Sequence, residues 1–292
     1  MIKRSRHFWI VSGGLAVSLA AFMLFRPAAK AVPANTSLSS PSQPSAESGR
    51  PQEGKSASES PQAPPSSAPT ARTADGSRIA YLTFDDGPSS FTPELLSRLK
   101  ENGVCATFFI VGRNAQKYPD SLKEMVEDGD VIGVHSWTHD YSYIYRNTNN
   151  FLSDFNQLND YIYQQTGIHS KICRFPGGTN NTVCRRYSRG HIMREIVSLV
   201  HKKGFEYYDW NVSSGEASAN PPSKEKIIEN VVPACRGKNT VVILFHDTDV
   251  REYVDVVPDI IAKLREEGFS FGTLSPEKLS PAALKAVQFL PV

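Results

Sequence analysis

Cysteine is scarce in this chain. There are four, Cys105, Cys173, Cys184 and Cys235, and none belongs to a CxxC pair, which argues against a cysteine-ligated zinc site. The even number permits two disulfides in an oxidising compartment; free buried thiols are the alternative. Charge excess is also missing. Against 32 Lys and Arg stand 30 Asp and Glu, a formal +2, so no basic footprint argues for nucleic acid and no acidic substrate is implied. Two regional absences divide the chain. Residues 8–25 carry no charge and follow Lys3, Arg4 and Arg6. Such a stretch is just long enough to span a bilayer, and its basic flank places everything downstream outside the cytoplasm. Residues 1–30 are therefore expected to be a retained signal anchor, or a signal peptide cleaved near Ala29-Lys30-Ala31. Residues 31–77 contain no aromatic residue and are dominated by Ser, Pro, Ala, Gln and Glu. So little apolar surface does not offset the entropy of ordering, and the segment reads as a disordered linker of about 35–40 Å as a coil.

From residue 78 the periodicity changes, and residues 78–292 read as one domain. Residues 79–84 form a short, nearly continuous apolar run, the pattern of a strand buried on both faces. Thr92-Pro93-Glu94 offers a capping hydroxyl, a proline at the first position and an acid in the first turn of a helix that Gly103 ends. Further strands are expected at 104–111, 130–134, 171–175, 205–210, 240–245 and 269–273. Helices are expected to close at Gly129, over Phe151, Phe155, Leu158 and Ile162, over 191–203, and near 224–232 and 254–267. Seven strands alternating with helices imply a parallel sheet with right-handed crossovers. The length suits a somewhat short α/β barrel of (β/α)7 type, akin to the TIM barrel; an open doubly wound sheet is the alternative.

The reactive side chains fall at strand ends. Asp85 and Asp86 end the first, His135 the third with His139 four residues on, Arg174 the fourth, and His246 follows the sixth. In a parallel barrel these ends converge on one mouth. Alone, an Asp pair before Gly-Pro marks a turn more often than a site. With strand geometry its two side chains point to opposite faces. His135-Ser-Trp-Thr-His139 would set two imidazoles on one side of a helical turn, and with an Asp they would make a three-ligand catalytic metal site. Read singly, His246 is a core histidine or a proton donor at the mouth, and Arg174 a loop cap. The Pro176-Gly177-Gly178 turn allows close backbone approach and free N–H groups, as an oxyanion site needs.

Five segments in order carry a resemblance: Thr83-Phe-Asp-Asp-Gly-Pro88, His135-Ser-Trp-Thr-His139, Arg174-Phe-Pro-Gly-Gly178, Trp210-Asn-Val-Ser-Ser-Gly-Glu216 and Leu244-Phe-His246. From about residue 79 to 274 the chain resembles the polysaccharide deacetylases with a NodB-homology domain, carbohydrate esterase family 4. The resemblance implies a divalent metal, zinc with cobalt or nickel as alternatives, on Asp86, His135 and His139. It implies Asp85 as general base oriented by Arg174, His246 as general acid, the Gly177 N–H as oxyanion donor and Leu244 as wall of the acetyl pocket. The expected anchor and linker would place the domain in the cell wall, which makes an N-acetylated wall glycan, peptidoglycan above all, the expected substrate, and a monomer facing the wall the expected state. Chitooligosaccharide or acetylxylan deacetylation and a non-catalytic carbohydrate-binding relative are the alternatives. Two departures stand out. Glu216 and Ala217 occupy the place of an Asp-Trp pair whose Asp partners the acid histidine, with Asp209 a competing partner. Gly177 stands where many relatives have an aromatic residue, which is expected to open the site.

Overall fold

The computed structural model describes residues 77–289 except 189, 218–220, 278 and 280. The expected signal segment and all of the linker but Ser77 lie outside these residues. Among the described residues no helix is long and apolar enough to cross a membrane. In chain order the elements are β1 (Arg78–Asp85), α1 (Thr92–Glu101), β2 (Thr107–Val111), α2 (Gly112–Ala115), α3 (Pro119–Glu127), β3 (Val131–Ser136), α4 (Tyr141–Ile144), α5 (Thr148–Thr166), β4 (Ile172–Cys173), α6 (Ile192–Lys202), β5 (Glu206–Tyr207), β6 (Val212–Ser213), α7 (Lys224–Cys235), β7 (Thr240–His246), α8 (Arg251–Asp255), α9 (Val257–Glu266), β8 (Phe269–Gly272) and α10 (Pro281–Ala286). A 3-10 turn spans Val183–Arg186.

Every ladder is parallel. The order is β5-β4-β3-β2-β1-β7-β6, with β8 also on β1. On one edge β1 serves two neighbours, β8 along Arg78–Tyr81 and β2 along Thr83–Asp85. The outer strands β5 and β6 share no ladder. Instead, residues 208–211 step across the gap: the Tyr208 N–H donates to the Cys173 carbonyl (3.0 Å), and the Asn211 N–H to that of Val242 (3.1 Å).

The alternation along β1 decides between barrel and open sheet. Ala80, Leu82 and Phe84 enter one apolar cluster with the helix faces, among them Leu95, Leu96 and Leu99 of α1 and Ile260, Ile261 and Leu264 of α9. Ile79 and Tyr81 point the other way and meet Phe109, Ile172, Tyr208 and Val242. Apart from C-terminal residues (Leu274, Leu279, Leu284 and Val287), that second cluster is built by the sheet and residues following its strands. Apart from α10, whose Leu284 packs against this second cluster, helices cover one face, and the sheet curls around its other face as a barrel does. Each large apolar side chain so buried contributes roughly 1.5–3 kcal/mol, which fixes the register. A slip of one residue would drive Thr83 and Asp85 into the helix interface.

The structure departs from the sequence-based expectations in several places. Among the described residues there are eight strands rather than seven, because β6 is two residues long and leaves no periodic signal. The Thr92 hydroxyl does not cap α1, whose N-cap is Phe91 with no side-chain bond; it donates to Asp247 Oδ2 (2.6 Å) and accepts the Ser89 N–H. Of the two alternatives left open for the four cysteines, the structure has no disulfide among them.

Candidate active site

Inward-facing positions of β1 change from apolar to polar toward the mouth: Ile79, Tyr81, Thr83, Asp85. Asp85 is buried, and what allows this is Arg174. The residue after β4 is not a loop cap but the largest fully buried side chain of the domain. Its guanidinium crosses the interior and donates to Asp85 Oδ1 (2.8 Å), Thr83 Oγ1 (2.7 Å) and the carbonyls of Tyr208 (2.8 Å) and Asp209 (2.9 Å). Phe109 lies under it at 4.3 Å. A buried charge is tolerable only when paired and hydrogen-bonded, and here every contact meets an acceptor or a ring face.

Asp85 and Asp86 do not point to opposite faces. Asp86 leaves strand geometry at φ +72°, a left-handed conformation that aspartate tolerates better than most residues. Its N–H is held by the Phe109 carbonyl (3.2 Å) and its carbonyl by Asn114 Nδ2 (2.8 Å). Both carboxylates therefore reach His135, whose Nε2 is 4.0 Å from Asp85 Oδ2 and 3.4 Å from Asp86 Oδ1.

Nor do His135 and His139 share a helical turn. His135 lies within β3, and His139 sits in a loop at φ +54°. The loop is shaped by Asp154 of α5, a buried carboxylate that accepts from Ser136 Oγ, the Trp137 N–H, the Thr138 N–H and Thr138 Oγ1 at 2.6–2.9 Å. Ser136 Oγ in turn accepts the His139 N–H (2.9 Å). Replacing Asp154 by alanine leaves four donors, one buried and three partly buried, without acceptors. We expect a loss of about 2–4 kcal/mol in urea unfolding and roughly 10–100-fold in metal affinity by chelator competition, since groups that orient ligands carry such effects.

Asp86, His135 and His139 form a ligand set, their donor atoms within 4.8 Å of one another. The fit to a cation can be tested on the residues themselves. His135 Nδ1 lies 2.7 Å from the Arg174 carbonyl, which makes it the N–H donor and leaves the Nε2 lone pair facing Asp86. His139 Nε2 is 3.3 Å from the same Asp86 Oδ1, and that buried oxygen makes no hydrogen bond of ordinary geometry. Burial pushes Asp86 upward, but His135, His139 and His246 outweigh it and hold the carboxyl well below the usual range. For His135, burial is overcome by Asp85 and Asp86, and the ring is raised. An orphaned carboxylate oxygen facing two imidazole nitrogens suits a divalent ion with open positions.

On the neighbouring strand His246 is the register partner of Asp85. Its Nδ1 stands 3.4 Å from Glu216 Oε2, and the same oxygen accepts its own N–H (2.6 Å). Burial lowers the imidazole, but the adjacent Glu216 carboxylate and the charges of Asp85 and Asp86 raise it above its ordinary value. Asp209 is engaged elsewhere, by Thr179 and the Phe289 N–H. Leu244, two residues before His246, pairs with Thr83 and shares its interior face.

Gly177 and Gly178 both have positive φ (+79° and +76°). The turn is pinned by Tyr145 Oη and Asn181 Nδ2, both donating to the Pro176 carbonyl (2.7 and 3.3 Å). Among the described residues no acceptor takes the Gly177 N–H. Tyr141 occupies part of the space expected to be open here: a Cβ on Gly177 would meet the Tyr141 hydroxyl at 2.8 Å.

Comparison with known proteins accords with this geometry. A family model described as polysaccharide deacetylase matches residues 72–196. A peptidoglycan-N-acetylglucosamine deacetylase of Bacillus cereus is 31% identical over 208 residues, covering 70% of this chain and 72% of that protein. The chain belongs to the polysaccharide deacetylase family. The catalytic domain of a peptidoglycan N-acetylglucosamine deacetylase from Eubacterium rectale superposes with a TM-score of 0.67 at 37% identity, covering 72% of this chain and 94% of that domain. A chitin deacetylase of Colletotrichum lindemuthianum is 28% identical over 202 residues, 65% of this chain and 75% of that protein. Family members are hydrolases of acetylated sugars, and the metal-ligand set described above is the one the family resemblance implies. Sequence reading missed Asp154 and Tyr141. Nothing in the local sequence distinguishes Asp154 from other polar helix residues, whereas the tyrosine two residues after His139 was visible but unassigned.

Proposed function

We propose that this chain removes N-acetyl groups from amino sugars of a cell-wall glycan, with N-acetylglucosamine of peptidoglycan as the principal substrate. The observation that carries the proposal is the convergence at one barrel mouth of the Asp86–His135–His139 set, the Asp85–Arg174 pair and the His246–Glu216 pair. The peptidoglycan assignment draws on the Bacillus and Eubacterium relatives. Two imidazoles and a carboxylate suit zinc, with cobalt or nickel as alternatives. Such an ion supplies Lewis acidity toward a water and the acetyl oxygen.

The chain's own residues supply the rest. Asp85, oriented by Arg174, takes a proton from the attacking water. The Gly177 N–H faces the oxygen on which negative charge develops, and Leu244 lines the space for the acetyl methyl. His246, whose pKa the Glu216 carboxylate raises, gives its proton to the amide nitrogen as the carbon–nitrogen bond breaks. Acetate and a free amino sugar leave. The extra methylene of glutamate over aspartate is accommodated because Glu216 Oε2 also binds the His246 backbone, which holds the carboxylate against the ring.

Acetate release from N-acetylated wall glycan by the full-length protein, abolished by chelation and restored by zinc, is the test. No release with zinc, cobalt or nickel present sinks the proposal. The similarity to a chitin deacetylase makes chitooligosaccharide the second substrate to assay beside it. The uncharged segment 8–25 supports an extracytoplasmic site of action, anchored in the membrane or released. A pH dependence follows from the acid pair. Glu216 is the largest contribution raising His246, and activity requires the protonated ring, so activity falls as pH rises through that pKa. In Glu216→Gln the pKa drops, and the alkaline limb of the kcat profile should move to lower pH by about one unit. An unmoved limb assigns the acid elsewhere.

A further inference from the structure

We propose that the Tyr141 hydroxyl is a second hydrogen-bond donor to the acetyl oxygen as it gains charge, standing beside the Gly177 N–H. The proposal rests on the deacetylase reading and concerns a residue that reading does not use.

Three observations carry it. The first is position. A Cβ built on Gly177 would lie 2.8 Å from Tyr141 Oη and 3.2 Å from Asn181 Cβ. The phenol oxygen therefore sits against the Gly177 turn, in space that a side chain at 177 would need. The second is rigidity. The Tyr141 ring meets His139 edge-on at 5.5 Å and Tyr145 edge-on at 5.5 Å. Tyr145 is anchored to the Pro176 carbonyl, and the Asp140 side chain caps the helix that Tyr141 begins. Ring, metal ligand and turn are thus braced as one unit, with the hydroxyl between the ligand side and the turn. The third is an unspent proton. Among the described residues no acceptor takes the Tyr141 O–H. The neighbouring Asn181 amide is committed to Pro176 and Gly178, and its carbonyl to the Cys184 N–H.

A donor fixed before the reaction and left without a protein partner stabilises charge that appears only in the transition state, because no reorganisation is needed when the charge arrives. A donor used this way acts on kcat, whereas a contact to a sugar hydroxyl present throughout acts on KM. Gly177 and Tyr141 then read as a matched pair: the glycine makes room for a hydroxyl delivered from the His139 loop.

The test is Tyr141→Phe, which keeps the ring and its packing, in the full-length protein loaded with zinc and assayed on an N-acetylglucosamine oligomer that the wild type deacetylates. The expected result is a fall in kcat of about 10–100-fold with KM within about twofold. Zinc affinity by chelator competition should stay within about threefold. A glucosamine methylphosphonamidate, whose tetrahedral anion imitates the charged state, should bind at least about tenfold more weakly. A kcat within about twofold of wild type overturns the proposal. So does a loss confined to KM, which would place the hydroxyl on the sugar, or a loss matched by zinc affinity, which would make Tyr141 a support for His139. A wild-type protein inactive on every acetylated glycan sinks the deacetylase reading and this proposal with it. An active wild type whose activity Tyr141→Phe shares sinks this proposal alone.

Discussion

Replacing Asp85 by asparagine should lower kcat by about a thousandfold while metal content and KM change little. The size follows from the general-base role, which is worth roughly 10²–10⁴-fold. The selectivity follows from geometry. Asparagine keeps the shape of the side chain, and its carbonyl still accepts from Arg174, but it has no lone pair basic enough to take a proton from water. The cation set is left in place, because Asp86 Oδ1 is the carboxylate oxygen at 3.4 and 3.3 Å from the two imidazoles, whereas Asp85 stands off at 4.0 Å. Steady-state kinetics beside elemental analysis of the purified variant separates the two roles. Unchanged hydrolysis assigns the base elsewhere; lost metal makes Asp85 a ligand.

How far the sequence alone could reach is clear from these two neighbours. The position of Asp85 at the end of β1 was legible, because the run of residues 79–84 and the place of the pair after it follow from composition and period. The direction of Asp86 was not. It depends on a left-handed backbone held by Phe109 and Asn114, residues of other elements, so extrapolating the period of two sent the carboxylate to the wrong face. The same holds for His139. The HxxxH spacing suggested one side of a helical turn, yet the rings meet because Asp154, contributed by α5, folds a loop back on β3. Gly177 was read as a gap because the side chain that partly fills it comes from Tyr141, thirty-six positions earlier in the chain. The barrel's apolar layers were readable since each strand carries its own pattern. Its closure was not, since residues 208–211 bridge β4 and β7 by single backbone bonds rather than by a strand. Local periodicity encodes which residues are buried; the direction of a side chain at a strand's end is set by tertiary partners.

That closure is why Arg174→Met should be the most damaging substitution to the fold, costing about 3–5 kcal/mol, the range for removing one partner of a buried ion pair. Methionine fills much of the volume and stays apolar, so the loss is not a cavity effect. It comes from the groups left behind: the Asp85 carboxylate without its cation, and the Tyr208 and Asp209 carbonyls without donors in the segment that spans the open edge of the sheet. For a domain of this size the melting temperature should fall by roughly 10 °C or more, read by calorimetry on zinc-loaded protein. Lysine at the same position retains charge near Asp85 but lacks the planar fork that reaches four acceptors at once, and should fall between wild type and methionine. The discriminating measurement is the double variant. If Arg174 acts chiefly through Asp85, adding Asp85→Asn to Arg174→Met should restore part of the lost stability, with a coupling of about 1–3 kcal/mol. If the bonds to Tyr208 and Asp209 dominate, the two losses should add, and Arg174 is then a brace of the barrel gap first and a partner of the base second.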